Sequence, residues 1–276
     1  MKDIAIIYHG NCPDGFGGAW AAWKKFGDQA DYIPANHTDP IPKIDSKEIY
    51  FIDFIYKSFN AVDFPDKKIT VIDHHITNES LVKTFINNSF DIGQSGAVLA
   101  WKYFFPGKAV PKLLQHVEDV DLWKFNLPNT KEISSFLMLF DFDFSIWDKI
   151  SSDLETDSGL NNAIFQGETI LKYEANAIKR AIENYAQEVE FEGYKTLVVN
   201  HPNFLASQLG HALVVKMPPI GIVWSQRNMG KNVFSLRSDG TVDVSQIAQK
   251  YGGGGHKAAA GFALDAGKPL PWKIIN

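Results

Sequence analysis

Asp73-His74-His75 directly follows the apolar run Ile69-Thr70-Val71-Ile72. A carboxylate and two imidazoles at one strand end are groups that bind divalent cations and move protons. The pairing of a short apolar run with a polar cluster occurs twice more. Ile4-Ala5-Ile6-Ile7-Tyr8 runs into His9-Gly10-Asn11-Cys12-Pro13-Asp14-Gly15, and Ile49-Tyr50-Phe51-Ile52 stops at Asp53. A further acidic segment, Val117-Glu118-Asp119-Val120-Asp121, closes a helical stretch. His9, Asp14, Asp53, His74 and Asp119 thus form a set that the right topology could gather around one point. Carboxylate-rich sets with some imidazole suit Mn²⁺ or a similar divalent ion better than soft-ligand metals. Two such ions about 3.5–4 Å apart can clamp the attacking water and the leaving oxygen of a phosphoryl transfer. Asp53 is placed to bridge them. Taken singly, an aspartate after a strand is more often a turn or cap residue, and Asp119 with Asp121 could be a solvated acidic corner. Repetition at three strand ends favours chemistry.

The elements that must position these groups read as an alternation. The runs Ile4 to Tyr8, Ile49 to Ile52 and Ile69 to Ile72 are continuous apolar stretches, as in strands buried on both faces. A helical stripe of Trp20, Trp23 and Phe26 separates the first two. Strands alternating with helices predict a parallel α/β sheet, whose ligands bind outside the carboxyl ends of the strands. Ser95 is placed to cap a helix running through Trp101 to Phe104, and another helix is expected from near Pro111. Residues 160–188 have few breakers and read as one long helix. Beyond Gly193, strand patterns at Thr196 to Val199, Ile220 to Trp224 and Val233 to Leu236 lead to the glycine run 252–255. The expected division is residues 1–158, a helical connector over 159–190, and residues 191–276.

The chain has 276 residues, 45% of them hydrophobic, and a net charge of −5. It therefore carries no global basic field to draw in long nucleic acid. Its single cysteine, Cys12, cannot form an internal disulfide or an all-cysteine zinc site. The apolar N-terminal run is too short for a signal-peptide core, and no stretch reaches transmembrane length, so a cytoplasmic protein without membrane partners is expected.

Asp73-His74-His75 after its strand resembles the defining motif of the DHH phosphoesterase superfamily, which includes RecJ-type exonucleases, nano-RNases, cyclic-dinucleotide phosphodiesterases, family II pyrophosphatases and exopolyphosphatases. His9 to Gly15 resembles the first motif of that superfamily, Phe51 to Phe54 the second, and Glu118 to Trp123 the fourth. Gly252-Gly253-Gly254-Gly255-His256-Lys257-Ala258-Ala259-Ala260-Gly261 resembles the signature of the DHH-associated substrate-binding domain. The five segments, in order, span nearly the whole chain.

The resemblance implies a parallel-sheet DHH domain joined by a long helix to a smaller α/β domain, with the active site in the cleft between them. It implies Mn²⁺, two ions with Mg²⁺ or Co²⁺ as substitutes, at His9, Asp14, Asp53, His74 and Asp119. His75 would face the substrate phosphate, and Asp73 would orient the histidines. Gly253, Gly254 and Gly255 would offer backbone N–H groups to a phosphate, and His256 and Arg237 would add charge-assisted contacts. The sequence departs from the pattern at Phe16, where many members carry a second aspartate. The missing ligand would be replaced by water or by a group such as Asp121.

These features predict hydrolysis of short oligonucleotides or linear dinucleotides to nucleoside monophosphates by metal-activated water. Polyphosphate or a cyclic dinucleotide is the alternative substrate. A non-catalytic nucleotide-binding module is the alternative of another class, motivated by Phe16. Homodimer formation is left open by the sequence.

Overall fold

The computed structural model describes residues 2–36, 39–227 and 230–275. Its contacts divide the chain into two compact units, Met1–Leu171 and Lys172–Asn276.

The first unit begins with β1 (Ile4–His9), α1 (Pro13–Phe26), β2 (Ala30–Ala35), β3 (Glu48–Ile52) and β4 (Lys68–Asp73). The short α2 (Glu79–Val82) leads to β5 (Asn87–Phe90), and α3 (Gly96–Phe104), α4 (Lys112–Asp121), α5 (Thr130–Leu137) and α6 (Phe144–Leu154) follow. The strands form one sheet in the order β2-β1-β3-β4-β5, with every pairing parallel. The apolar runs of β1, β3 and β4 occupy its interior, and both faces bury them. Ile6, Tyr8, Ile52 and Ile72 pack with Phe16, Trp20, Trp101 and Trp147 on one side. Ala5, Ile7, Phe51 and Val71 pack with Phe54, Ile55 and Phe59 on the other. The two outer strands are polar or broken: β2 contains Asp31 and Pro34, and β5 reads Asn-Asn-Ser-Phe.

Helix α7 (Asp157–Tyr185) runs across the boundary of the two units. The second unit continues with β6 (Gln187–Phe191), β7 (Tyr194–Asn200), α8 (Ala206–Lys216), β8 (Ile220–Arg227) and β9 (Lys231–Ser238). It ends with α9 (Val244–Lys250), β10 (Gly254–His256), β11 (Ala259–Asp265) and β12 (Lys273–Ile274). These seven strands form a sheet in the order β10-β11-β9-β8-β7-β6-β12, antiparallel except where β7 meets β8. Val198, Ile222, Phe234, Leu236 and Phe262 centre its core. Among the described residues, no helix is long and apolar enough to cross a membrane.

Candidate metal centre

Parallel pairing puts the carboxyl ends of β1, β3 and β4 side by side, with Tyr8 level with Ile52 and Ile52 level with Ile72. The residue after each of these positions is His9, Asp53 and Asp73. Asp53 turns the chain with φ at +60°, a left-handed conformation that aspartate tolerates better than most residues. Its N–H donates to Ile72 O at 2.8 Å, which ties the turn to β4.

Asp53 is the meeting point. His9 Nδ1 lies 3.2 Å from its Oδ2, and His74 Nε2 lies 3.2 Å from its Oδ1. His74 Nε2 is also 3.7 Å from Asp14 Oδ2 and 3.5 Å from Asp121 Oδ2. Asp14, Asp53 and His74 are almost entirely buried.

Asp14 comes from the first turn of α1, which Pro13 starts at a position where a missing N–H costs nothing. The N-terminus of α3 holds it: Gly96 N–H donates to Oδ2 at 2.6 Å and Ala97 N–H to Oδ1 at 2.9 Å. Ser95 caps α3 as expected, its Oγ accepting from Val98 N–H at 3.3 Å. Asp73 is inaccessible to solvent and orients the two residues after it. Its Oδ1 accepts from the N–H of His74 at 2.7 Å and of His75 at 3.0 Å, with His75 Nδ1 at 2.8 Å. Its Oδ2 accepts from Asn78 Nδ2 at 2.7 Å.

Asp119 does not join this cluster. Its carboxylate accepts from the N–H of Asn126 at 2.8 Å, the N–H of Leu127 at 3.0 Å and the Thr130 hydroxyl at 2.7 Å. It braces the loop between α4 and α5, and Asp121 takes the place expected of it. Residues two apart on a helix do not share a face, so only one of the two could reach His74. The spacing carried the signal: Leu114, Val117 and Asp121 stand at i, i+3 and i+7, and the first two are buried core. Asp119 instead follows the step of His116.

Phe16 is likewise on the far side of α1 from Asp14. It is buried against Phe142, Phe144 and Trp147, with ring centroids 5.1, 4.9 and 4.9 Å away. Cys12 is the other residue that the ligand set expected from sequence left out. Its side chain, His9 and Asp53 place potential ligand atoms within 4.8 Å of one another, as do two other trios, Asp53-His74-His75 and Asp14-His74-Asp121.

The electrostatics fit a divalent cation. Burial, then Asp53 and Asp121, push the Asp14 carboxyl well above the usual carboxylate range. Asp121, whose side chain is 26% exposed, is pushed up to about 6 by lost hydration and by Asp53. Burial alone would depress His74, but Asp53, Asp14 and Asp121 outweigh it and raise the imidazole to about 10. Burial alone would likewise raise Asp53, and His74 and His9 outweigh it to hold it below its ordinary value. Three carboxylates thus converge on one imidazole, with repulsion that His74 does not relieve. Asp53 Oδ1 is buried and accepts no well-aligned hydrogen bond. Oxygen and imidazole donors in this proportion are those of Mn²⁺, Mg²⁺ or Co²⁺ sites.

In the second unit, Arg237 on β9 lies beside β11, level with Ala259. Its Nη2 donates to Ser207 Oγ at 2.6 Å and its Nη1 to Leu236 O at 2.8 Å. Burial pushes the guanidinium down to about 10, and no carboxylate pairs with it among the described residues. The glycine run is more constrained than a free cradle. Gly253 N–H already donates to Ala248 O at 2.9 Å, so it is not available to a phosphate as the sequence suggested. A Cβ at Gly253 would come within 2.1 Å of Gly261 O, whereas Gly254 faces open space. Gly255, at φ +138°, pairs with Ala260, and His256 pairs with Ala259.

Comparison with known proteins agrees with this architecture. Residues 204–270 match the DHHA1 domain. The uncharacterized protein R106 of Acanthamoeba polyphaga mimivirus is 31% identical over 98% of this chain and 70% of its own length. Oligoribonuclease NrnB of Bacillus subtilis (strain 168) is 27% identical over 71% of this chain, an alignment covering 53% of NrnB. The chain thus matches about half the length of that second relative. In fold, it is similar to the pGpG-specific phosphodiesterase PggH of Vibrio cholerae, with a TM-score of 0.51, 15% identity, and coverage of 96% of this chain and 94% of PggH. The chain belongs to the DHH phosphoesterase superfamily and is a phosphoesterase with a C-terminal DHHA1 domain.

Proposed function

We propose that this phosphoesterase hydrolyses short oligonucleotides or linear dinucleotides to nucleoside monophosphates, with Mn²⁺ held by His9, Asp14, Asp53, His74 and Asp121. The observation that carries the reading is the convergence of Asp14, Asp53 and Asp121 on His74 at one sheet edge. Asp53 belongs to one trio with His9 and to another with His74, which supports two ions sharing its carboxylate. When bound, the ions supply an activated water and neutralise charge on the phosphoryl oxygens.

The chain's own groups do the positioning. His75 is fixed through Nδ1 by Asp73, and its ring is the group assigned to face a substrate phosphate. Burial tends to depress its imidazole, but Asp73 and Asp53 outweigh this and raise it. Arg237, partly buried, propped by Ser207 and paired with no carboxylate among the described residues, is a fixed cation suited to a phosphate. The relative named as an oligoribonuclease supports the choice of substrate. The net charge of −5 argues against long duplexes.

The test is incubation of the purified protein with Mn²⁺ and 5′-labelled RNAs of graded short length, with His74→Ala and a chelator as controls. Stepwise release of mononucleotide, lost in both controls, is the expected result. Faster degradation of kilobase DNA than of these short chains would sink the proposal. Inactivity on RNA with metal bound would direct the assignment to polyphosphate or cyclic dinucleotides.

A further inference from the structure

Cys12 occupies the N-cap of α1, with an extended backbone (φ −130°, ψ 129°). Residues chosen for that position usually have a side-chain oxygen that accepts a helix N–H. Cys12 makes no such cap. Its half-buried thiol instead sits within 4.8 Å of potential ligand atoms on His9 and Asp53. A thiol is a weak hydrogen-bond donor, so the Asp53 carboxylate gains little from it directly. A cation would reconcile them all. Two further observations point the same way. Asp53, only 1% exposed, turns Oδ2 toward His9 at 3.2 Å and so carries a carboxylate oxygen to this side of the cluster. Phe16 is turned into the aromatic core, so the start of α1 brings Asp14 and the Cys12 sulfur to the cluster and no second carboxylate.

We infer that Cys12 supplies a sulfur ligand to a divalent ion shared with His9 and Asp53. This rests on the metal-dependent reading above and sharpens it. On binding, the Cys12 thiol releases its proton to solvent and the sulfur donates an electron pair to the ion. One ion position then has sulfur, imidazole and carboxylate donors, a mixture that favours Co²⁺ and Zn²⁺ over Mg²⁺. The other, around Asp14, His74 and Asp121, has only oxygen and imidazole donors.

Cobalt reads both parts of the inference by absorption, without an activity assay. Metal-free protein is titrated with Co²⁺, and uptake is followed by equilibrium dialysis and by the visible d–d bands. A sulfur-to-cobalt charge-transfer band in the near ultraviolet is expected as the ion binds. Because Cys12 is the only cysteine, that band has one source in the chain. Cys12→Ser and Cys12→Ala should keep d–d absorption and lose the charge-transfer band, with circular dichroism showing that both fold. Cobalt uptake without a charge-transfer band in the wild type would overturn the sulfur ligand and leave the metal centre standing. Absence of any uptake would overturn both.

Discussion

Gly96 N–H donates to Asp14 Oδ2 at 2.6 Å across a separation of 82 residues. The start of α3 therefore fixes a carboxylate carried by α1, and the positive end of the α3 dipole faces it. This contact requires a residue without a side chain. A Cβ at Gly96 would lie 2.6 Å from Asp53 Cβ and 3.0 Å from Asp14 Oδ2.

Gly96→Ala is accordingly expected to displace both Asp14 and Asp53 while leaving the helices formed. Divalent-ion affinity, measured by calorimetry, should fall by about 10–100-fold, the loss usual when support for a ligand is disturbed. Circular dichroism should be unchanged. Wild-type affinity in this variant would mean that the two carboxylates do not depend on the position of α3.

Asp119 and Asp121 are expected to separate cleanly. Asp121→Asn should weaken metal binding and turnover with little change in unfolding free energy, because its side chain touches the cluster from a partly open position. Asp119→Ala should do the reverse. It leaves the buried Thr130 hydroxyl without its acceptor, which costs about 1–3 kcal/mol for a buried group left unsatisfied. Urea denaturation and metal titration of the pair decide the matter, and equal loss of metal in both would contradict the division of roles.

Arg237→Gln removes the half-buried guanidinium that pairs with no carboxylate among the described residues. The expected signature is a KM higher by about tenfold, equivalent to about 1.4 kcal/mol of binding, with kcat nearly kept. Arg237→Lys should recover little of it, since an ammonium does not reproduce the planar fork that reaches Ser207. A fall in kcat at constant KM would place Arg237 at the reacting phosphate instead.

His116 is expected to contribute a pH dependence to stability that is independent of the metal centre. Its Nδ1 donates to Thr130 Oγ1 at 2.9 Å, and the Thr130 hydroxyl in turn donates to Asp119. Burial holds the imidazole below its ordinary value of 6.5, with Lys112 acting in the same direction and Asp119 opposing. Above that value both folded and unfolded chains carry a neutral ring. As pH falls through it, the unfolded chain takes the proton first, so stability is lost progressively toward the depressed folded value. Urea midpoints for wild type and His116→Asn should therefore converge as the solution is acidified from neutral pH. Parallel curves would remove His116 from the account.

The strands that position the chemistry were readable because they are apolar on both faces and stop abruptly at polar residues. Ile4 to Tyr8, Ile49 to Ile52 and Ile69 to Ile72 lie within β1, β3 and β4. The long helix read at 160–188 is present as Asp157–Tyr185. The outer strands gave no such signal: β2 carries Pro34, and β5 is mostly polar, because one side of each has no partner strand to pack against. The choice between Asp119 and Asp121 was hidden for a different reason. Both sit in one acidic segment, and what selects between them is a hydroxyl, Thr130, and two amides from a loop that the local pattern does not announce. The nearness of Cys12 to Asp53 has no local signal, because Asp53 follows β3 and only the sheet brings it beside the loop after β1.

The composition of those outer strands has a consequence for behaviour in concentrated solution. An all-parallel sheet ends on both sides in unpaired backbone groups, which invite another sheet to add on. Here the proline of β2 removes a donor from one margin, and the short Asn-Asn-Ser stretch of β5 offers little apolar surface at the other. The hydrophobic strands are thereby confined to the interior of the sheet, and the first unit carries its own safeguard against fibrous self-association.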